Sequence, residues 1–338
     1  MYSLNISKKE IGRAGERLAI CSKNNTTLSE DDLNILHSWR MLHLYPLTKI
    51  TEYLTREANI INLNCLVSSR IKRLPSIISK LQRFEEMKLN KMQDLGGCRA
   101  ILSNLDEVYR AYENIKKLKF KHQLIRTDDY MADVKESGYR SLHLIYSFKN
   151  EKYENLNGLR IEMQLRTSIQ HSWATAVEMV GLFRKESLKS SFGNPDWLRF
   201  FELVSELFYR IESGESVGRY MKISEDLKKL TVKLNVFMIL EAYNKAASHI
   251  DSSENYTSGF CVILVDTEKS TINIRRFPPH SHKIASDFYI NEEKKCEKKK
   301  GCEVAMVSVD DISNLKNAYP AFFLDTRTFL NNLSRFIF

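Results

Sequence analysis

The chain has 338 residues, 43% apolar and 28% charged, long enough for two buried cores, which excludes collagen-like, purely coiled-coil and wholly disordered architectures. Lys and Arg number 51 against 42 Asp and Glu, a net charge of +9, so phosphate-bearing partners are favoured. No run reaches the ~18 apolar residues of a membrane span and residues 1–10 lack an apolar signal core, so the expectation is a cytoplasmic protein with no membrane partner.

Up to about residue 70 the pattern is helical, with Ser29-Glu30-Asp31-Asp32 as a polar helix start ahead of Leu33, Ile35, Leu36 and Trp39 on one face. Between residues 70 and 180 the order is a helix after Pro75, a strand over 99–102, a helix from near Ser103, strands over 141–148 and 159–166, and a helix from Thr167. That order implies an α+β fold with a mixed sheet flanked by helices. A helix over 224–247, capped by Ser224, runs into a polar stretch, 248–258, that reads as a boundary. A hairpin (260–266 and 271–277), a strand (304–309) and a final helix capped by Asp325 follow. The expected units are an N-terminal helical region (1–67), a central unit (68–223), and a C-terminal helix with a small α+β domain (224–338). The six cysteines are too scattered for a disulfide framework, so reduced thiols are expected.

Four segments carry residues with chemical potential. In the basic run 70–80, Pro75 suits the first turn of a helix; Ser76, Lys80 and Arg83 then share a face beside its N-terminal amides, while Arg70 and Lys72 lie on the extended segment before it. This suits several phosphates, although an isolated run of this kind more often forms a solvated face. Asp94-Leu95-Gly96-Gly97 places a carboxylate just ahead of an apolar strand that includes Arg99. In 159–166 strict alternation buries Leu159, Ile161, Met163 and Leu165 and aligns Arg160, Glu162, Gln164 and Arg166 on the other face. If that face lines a cleft, Glu162 and Asp94 can together hold a hard cation bridging phosphate oxygens, or take a proton from a hydroxyl. The segment 135–143 brings Lys135, Tyr139 and His143 together, a ring for stacking on a base and cations for phosphates; singly, each reads as an ordinary packed or surface residue.

In order, spacing and context, residues 68–180 resemble the synthetase domain of the RelA/SpoT family, through the 70–80 segment, Asp94-Leu95-Gly96-Gly97 with Arg99, Asp129-Tyr130 with Lys135, the loop 137–143, Glu162-Met163-Gln164-Leu165-Arg166-Thr167 and Gln170-His171-Ser172-Trp173-Ala174. The resemblance implies a nucleotidyltransferase-like mixed sheet and transfer of the β,γ-pyrophosphate of ATP to a ribose 3′-hydroxyl with Mg²⁺. It implies that Arg70, Lys72, Ser76, Lys80, Arg83 and Arg99 bind ATP, that Asp94 and Glu162 are catalytic and hold the metal, and that Lys135, Tyr139, His143 and Gln164 bind the acceptor. Val134 departs from the pattern, standing where many relatives have proline before the lysine. No His-Asp dipeptide of the kind that marks the family's hydrolase domain occurs, so hydrolysis is not expected.

The segment 318–326, Ala-Tyr-Pro-Ala-Phe-Phe-Leu-Asp-Thr, resembles the C-terminal antitoxin segment of fused toxic small alarmone synthetases of the CapRel type. In that branch the tail occupies the ATP site until a phage protein triggers release, and the acceptor is the 3′ end of tRNA. The resemblance makes Tyr319 and Phe322 autoinhibitory; the alternative is that they pack the core of the small domain. A (p)ppGpp synthetase acting on GDP or GTP in stringent-response signalling, and an inactive RNA- or nucleotide-binding module, stand as alternative functions. His280, His282, Cys296 and Cys302 invite a zinc reading, set aside because the Cys-x5-Cys spacing is looser than usual.

Overall fold

The computed structural model describes residues 6–117, 120–184, 188, 191–215, 221–246, 259–266, 271–297, 299, 302–309 and 326–337. Three helices open the chain: α1 (Lys8–Lys23), α2 (Glu30–Leu42) and α3 (Leu44–Ile61). Ser7 and Ser29 cap the first two by accepting from the amides of Glu10 and Asp32. The central part then runs β1 (Leu66–Ile71), α4 (Leu74–Arg83), β2 (Gly96–Leu102), α5 (Leu105–Lys117), β3 (Gln123–Asp129), β4 (Leu142–Ser147), β5 (Arg160–Thr167) and α6 (Ser168–Arg184). It is followed by α7 (Pro195–Glu212), α8 (Met221–Lys233), α9 (Val236–Ala246), β6 (Gly259–Asp266), β7 (Thr271–Phe277), α10 (His282–Glu297), β8 (Cys302–Val309) and α11 (Arg327–Ile337).

All eight strands form one sheet in the order β3-β4-β5-β2-β1-β8-β6-β7. Only β2 and β5 pair in parallel; every other neighbouring pair is antiparallel. The fold is thus the expected mixed sheet flanked by helices. The C-terminal strands extend that same sheet, because β8 pairs with β1 from Ser68↔Val309 to Arg70↔Val307.

One sheet face is apolar: Cys98, Ala100, Leu142, Leu144, Ile161, Met163 and Leu165 are buried in a core shared with α1–α5 and α10. The opposite face is polar near its centre and lies under α6. A second core, built from Trp173, Trp197, Phe200, Phe201 and Phe329, joins α6, α7 and α11. Residues 66–71 form a central strand and not the end of a helical region, because both edges of β1 are paired. The helix expected over 224–247 is two helices, α8 and α9, broken at Asn235 (φ 50°), a residue type that tolerates the left-handed region. The sulfurs of Cys296 and Cys302 are bonded, joining the end of α10 to β8, in place of the reduced thiols expected. Tyr319, Phe322 and Asp325, with the stretch 248–258, lie outside the described residues.

Candidate functional site

The site sits on the polar sheet face, where the chain crosses from β1 into α4 and where β2 and β5 run side by side. Register places Gly97 opposite Glu162 and Arg99 opposite Gln164. It also places His143 opposite Gln164 across β4 and β5. Asp94 lies two residues before β2, whose first residue, Gly96, pairs with Ile161, so the two candidate carboxylates come to one end of adjacent strands. Strand alternation explains why Glu162 and Gln164 share this face while Ile161, Met163 and Leu165 are fully buried on the other.

Asp94 is held by two lysines. Lys72 Nζ and Lys80 Nζ donate to its Oδ2 at 2.9 and 3.0 Å, while Oδ1 is buried with no hydrogen-bond donor. Burial opposes its ionisation, but Lys72 and Lys80 outweigh that and hold the carboxyl below its ordinary range; Glu162 pulls the other way, so the two acidic groups feel each other. Glu162 faces His143, whose Nδ1 lies 3.4 Å from Oε2, and accepts at Oε1 from the Gln164 amide. Burial again favours the neutral acid, and the charge and hydrogen bond of His143 overcome it, so Glu162 stays well below the usual carboxylate range. Burial also works against a charge on His143, but Tyr139 and Glu162 push its pKa up to about 9, making it an imidazolium at neutral pH.

A chain of polar contacts continues behind this pair. Tyr139 Oη lies 2.9 Å from His143 Nε2 and accepts from Arg166 Nη2 at 2.8 Å. Arg166 also donates to the Gln164 oxygen. Tyr139 is only 4% exposed; the Lys135 ammonium lies 5.3 Å from its ring centroid and 4.0 Å from that of Tyr130. The Tyr139 ring, packed in the second core beside Trp173, is thus not open to a stacking base as it stands. The loop that carries Tyr139 is fixed by Gly138, at φ +81°, where a Cβ would come 3.1 Å from Glu202 Cα and 3.0 Å from Ser205 Cβ. Arg140 anchors the same loop to α7 through Ser205 and Glu206, with its guanidinium 4.1 Å from the Tyr209 ring centroid.

The other basic residues expected to bind ATP are more dispersed. Arg70 Nη1 and Arg73 Nη2 both lie 3.7 Å from Glu178 Oε1 on α6. Arg99 Nε donates to Ser68 Oγ, across the β1–β2 pair. Arg83, further along α4, donates to the carbonyl of Ser79, and its guanidinium lies 6.0 Å from the Phe84 ring centroid. Ser76 is half-buried in the first turn of α4. That helix offers fewer amides than its sequence implies: Pro75 has none, Ile77 donates to the Arg73 carbonyl, and Leu74 donates to Glu293 of α10. Side-chain cations, not a row of backbone amides, therefore dominate the positive charge here. Arg166 and Glu178 are site residues that the sequence reading did not assign; Arg166 was visible on the polar face of its strand, whereas nothing local marks Glu178.

The residues suit a magnesium ion. Mg²⁺ is commonly held by one or two carboxylates together with substrate phosphates, and here two ionised carboxylates adjoin, one with an oxygen lacking any donor. Among the described residues no cluster of three or more His, Cys, Asp or Glu could hold a metal by itself.

Residues 69–184 match the family model described as the region found in RelA / SpoT proteins. The GTP pyrophosphokinase YwaC of Bacillus subtilis (strain 168) is 32% identical over 113 residues, 32% of this chain and 53% of that protein. A second GTP pyrophosphokinase of the same organism, YjbM, is 30% identical over 114 residues, 32% of this chain and 52% of that protein. The chain thus spans about half the length of these curated relatives. Among solved structures, the small alarmone synthetase 1 of B. subtilis bound to its product pppGpp aligns with 51% of this chain and 90% of its own at 23% identity and a TM-score of 0.43.

Proposed function

We propose that the chain is an ATP-dependent pyrophosphokinase, transferring the β,γ-pyrophosphate of ATP to a ribose 3′-hydroxyl. In this reaction the hydroxyl oxygen bonds to the β-phosphorus, the bond from that phosphorus to the α,β-bridging oxygen breaks, AMP leaves with that oxygen, and the hydroxyl proton is released to solvent. The observation that carries the reading is the meeting of Asp94 and Glu162 beside Lys72, Lys80 and His143. Phosphoryl transfer needs positioning and stabilisation of negative charge more than covalent help from the protein, and this cluster is built for both.

Lys72 and Lys80 neutralise Asp94 now, and the same ammonium groups are placed to take the triphosphate. Arg70 on β1, Arg73 at the start of α4 and Arg99 on β2 extend the positive surface. Asp94 and Glu162 would hold Mg²⁺, which when bound would supply positive charge to offset that of the transferred phosphates. Glu162, ionised and fixed by His143 and Gln164, orients the acceptor hydroxyl; its lowered pKa makes it a better orienting group than a base. Tyr139, His143 and Lys135 hold the acceptor's base, sugar or phosphate.

Two acceptors fit this reading. A guanosine nucleotide is favoured by the names of the matched relatives, both GTP pyrophosphokinases. A tRNA 3′ end is favoured by the net charge of +9 and by the resemblance of 318–326 to a tail that restrains a translation-blocking toxin in phage defence. Incubating the protein with ATP labelled at the β-phosphate, deacylated tRNA, GDP and GTP separates them. Label on guanosine nucleotides supports the first and label on tRNA the second. No transfer by either the full chain or a form lacking the tail overturns the enzymatic reading.

A further inference from the structure

The start of α4 is tied to a residue more than two hundred positions away. Arg40 on α2 and Glu293 on α10, with side chains 0% and 3% exposed, form a two-pronged pair at 3.2 and 2.7 Å. Tyr289 Oη donates to Glu293 Oε1 at 2.7 Å, and the Arg40 guanidinium lies 5.1 Å from its ring centroid. His37 Nδ1 lies 3.6 Å from Oε2. Burial and the Arg40 charge push the His37 pKa down to about 4, so at neutral pH the cluster holds one cation and one anion. The remaining partner of Glu293 is backbone: the Leu74 amide donates to Oε1 at 3.1 Å.

Leu74 is the first residue of α4, whose N-cap, Arg73, makes no side-chain capping bond. Glu293 does that work from another element. Two residues earlier, the Lys72 amide donates to the Leu95 carbonyl at 2.8 Å, and its side chain reaches Asp94. The bend between β1 and α4 is thereby fixed on one side by the segment ahead of β2 and on the other by α10. A buried ion pair contributes little to stability over well-packed apolar residues. What an apolar replacement cannot supply is the acceptor for Leu74.

We propose that Glu293 is a positioning residue of the donor site: by capping Leu74 from α10 it sets the bend into α4 and so the aim of Lys72 and Lys80 at the triphosphate of ATP. This rests on the pyrophosphokinase reading and adds to it that α10, far along the chain from the synthetase motifs, is part of a working ATP site. Leaving Arg40 buried without its partner would destabilise the fold, so the test uses two double variants that both remove the ion pair. Arg40→Met with Glu293→Gln keeps a carbonyl for Leu74; Arg40→Met with Glu293→Leu does not. The readouts are the equilibrium Kd for a fluorescent non-hydrolysable ATP analogue, the KM for ATP against kcat, and the thermal midpoint.

The Gln form is expected to bind the analogue within about twofold of the wild type, and the Leu form about fivefold more weakly, the ordinary worth of a helix cap, with KM rising and kcat held. Tyr289→Phe, which keeps the ring and removes one bond that aims Glu293, is expected to weaken binding about twofold in the same KM-only manner. Equal or tighter binding by the Leu form, or a loss confined to kcat, overturns the proposal alone. If neither the wild-type chain nor its Tyr319→Ala form, in which the tail's hold on the site is weakened, binds the analogue, the donor-site reading falls and this inference with it.

Discussion

Replacing Asp94 by Asn removes a single charge from a point where two cations converge. Lys72 Nζ and Lys80 Nζ are 2.9 and 3.0 Å from the same oxygen, so they stand no more than about 6 Å apart. At that spacing and an effective dielectric of about 20, they repel by about 3 kcal/mol once the carboxylate is gone. The three side chains keep 17–24% of their surface exposed, so water and rotation of the lysines relieve part of this. The expected net destabilisation is about 2 kcal/mol. For a chain of this size that is a drop in thermal midpoint of about 3 °C.

The sign with pH is definite. Asp94 titrates below its ordinary value of 3.8 in the folded state, so its contribution is full above that value and is lost as pH falls through the lower folded-state value. Calorimetry at low salt should show the gap between wild type and Asp94→Asn at neutral pH and its closure in strong acid. An Asn variant as stable as the wild type at neutral pH, or a gap indifferent to acid, would refute the ion-pair account. In the labelled-ATP assay the same variant should lose at least about a hundredfold of its transfer rate.

Other perturbations test separate parts of the site. The raised pKa of His143 means that its pairing with Glu162 stabilises the fold fully below the unfolded value of 6.5 and ceases to do so as pH rises through about 9; a proton NMR titration of the ring with a midpoint at or below 6.5 would contradict this. Gly138→Ala should cost about 1–3 kcal/mol, read by chemical denaturation, because it combines a left-handed backbone with close contact to α7; an unchanged denaturation midpoint would show that the loop is not held as described. If the tail restrains the enzyme, Tyr319→Ala should raise growth inhibition and Asp94→Ala should abolish it, and toxicity retained by the Asp94→Ala variant would count against catalysis as its cause.

Local periodicity made part of the site readable. The alternation around Glu162 correctly assigned Ile161, Met163 and Leu165 to the core and Glu162 and Gln164 to the polar face, since period two is a property of the strand alone. The hairpin of β6 and β7 was legible for another reason, as two β-rich segments separated by the short polar run 267–270. Strand β3 was not: Gln123-Leu124-Ile125-Arg126-Thr127-Asp128-Asp129 is an edge strand with largely half-exposed and exposed residues, and its apolar positions do not alternate. Contacts across long sequence separations left no local trace at all. Arg40 and Glu293 each resemble ordinary helix-surface charges in the sequence, and only the docking of α10 buries them together. Likewise nothing around Arg140 in the sequence marks its partners, Ser205 and Glu206 on α7.

The seam between β1 and β8 bears on how the chain is made. During synthesis β1 emerges early and can zip to β2 at once, but its other edge waits for residues 307–309. Until then a strand leading directly into the lysine-bearing bend has bare amides and carbonyls, the kind of surface that recruits other chains. A ribosome stalled before residue 302, or a message cut short there, should yield a sticky intermediate whose solubility depends on chaperones.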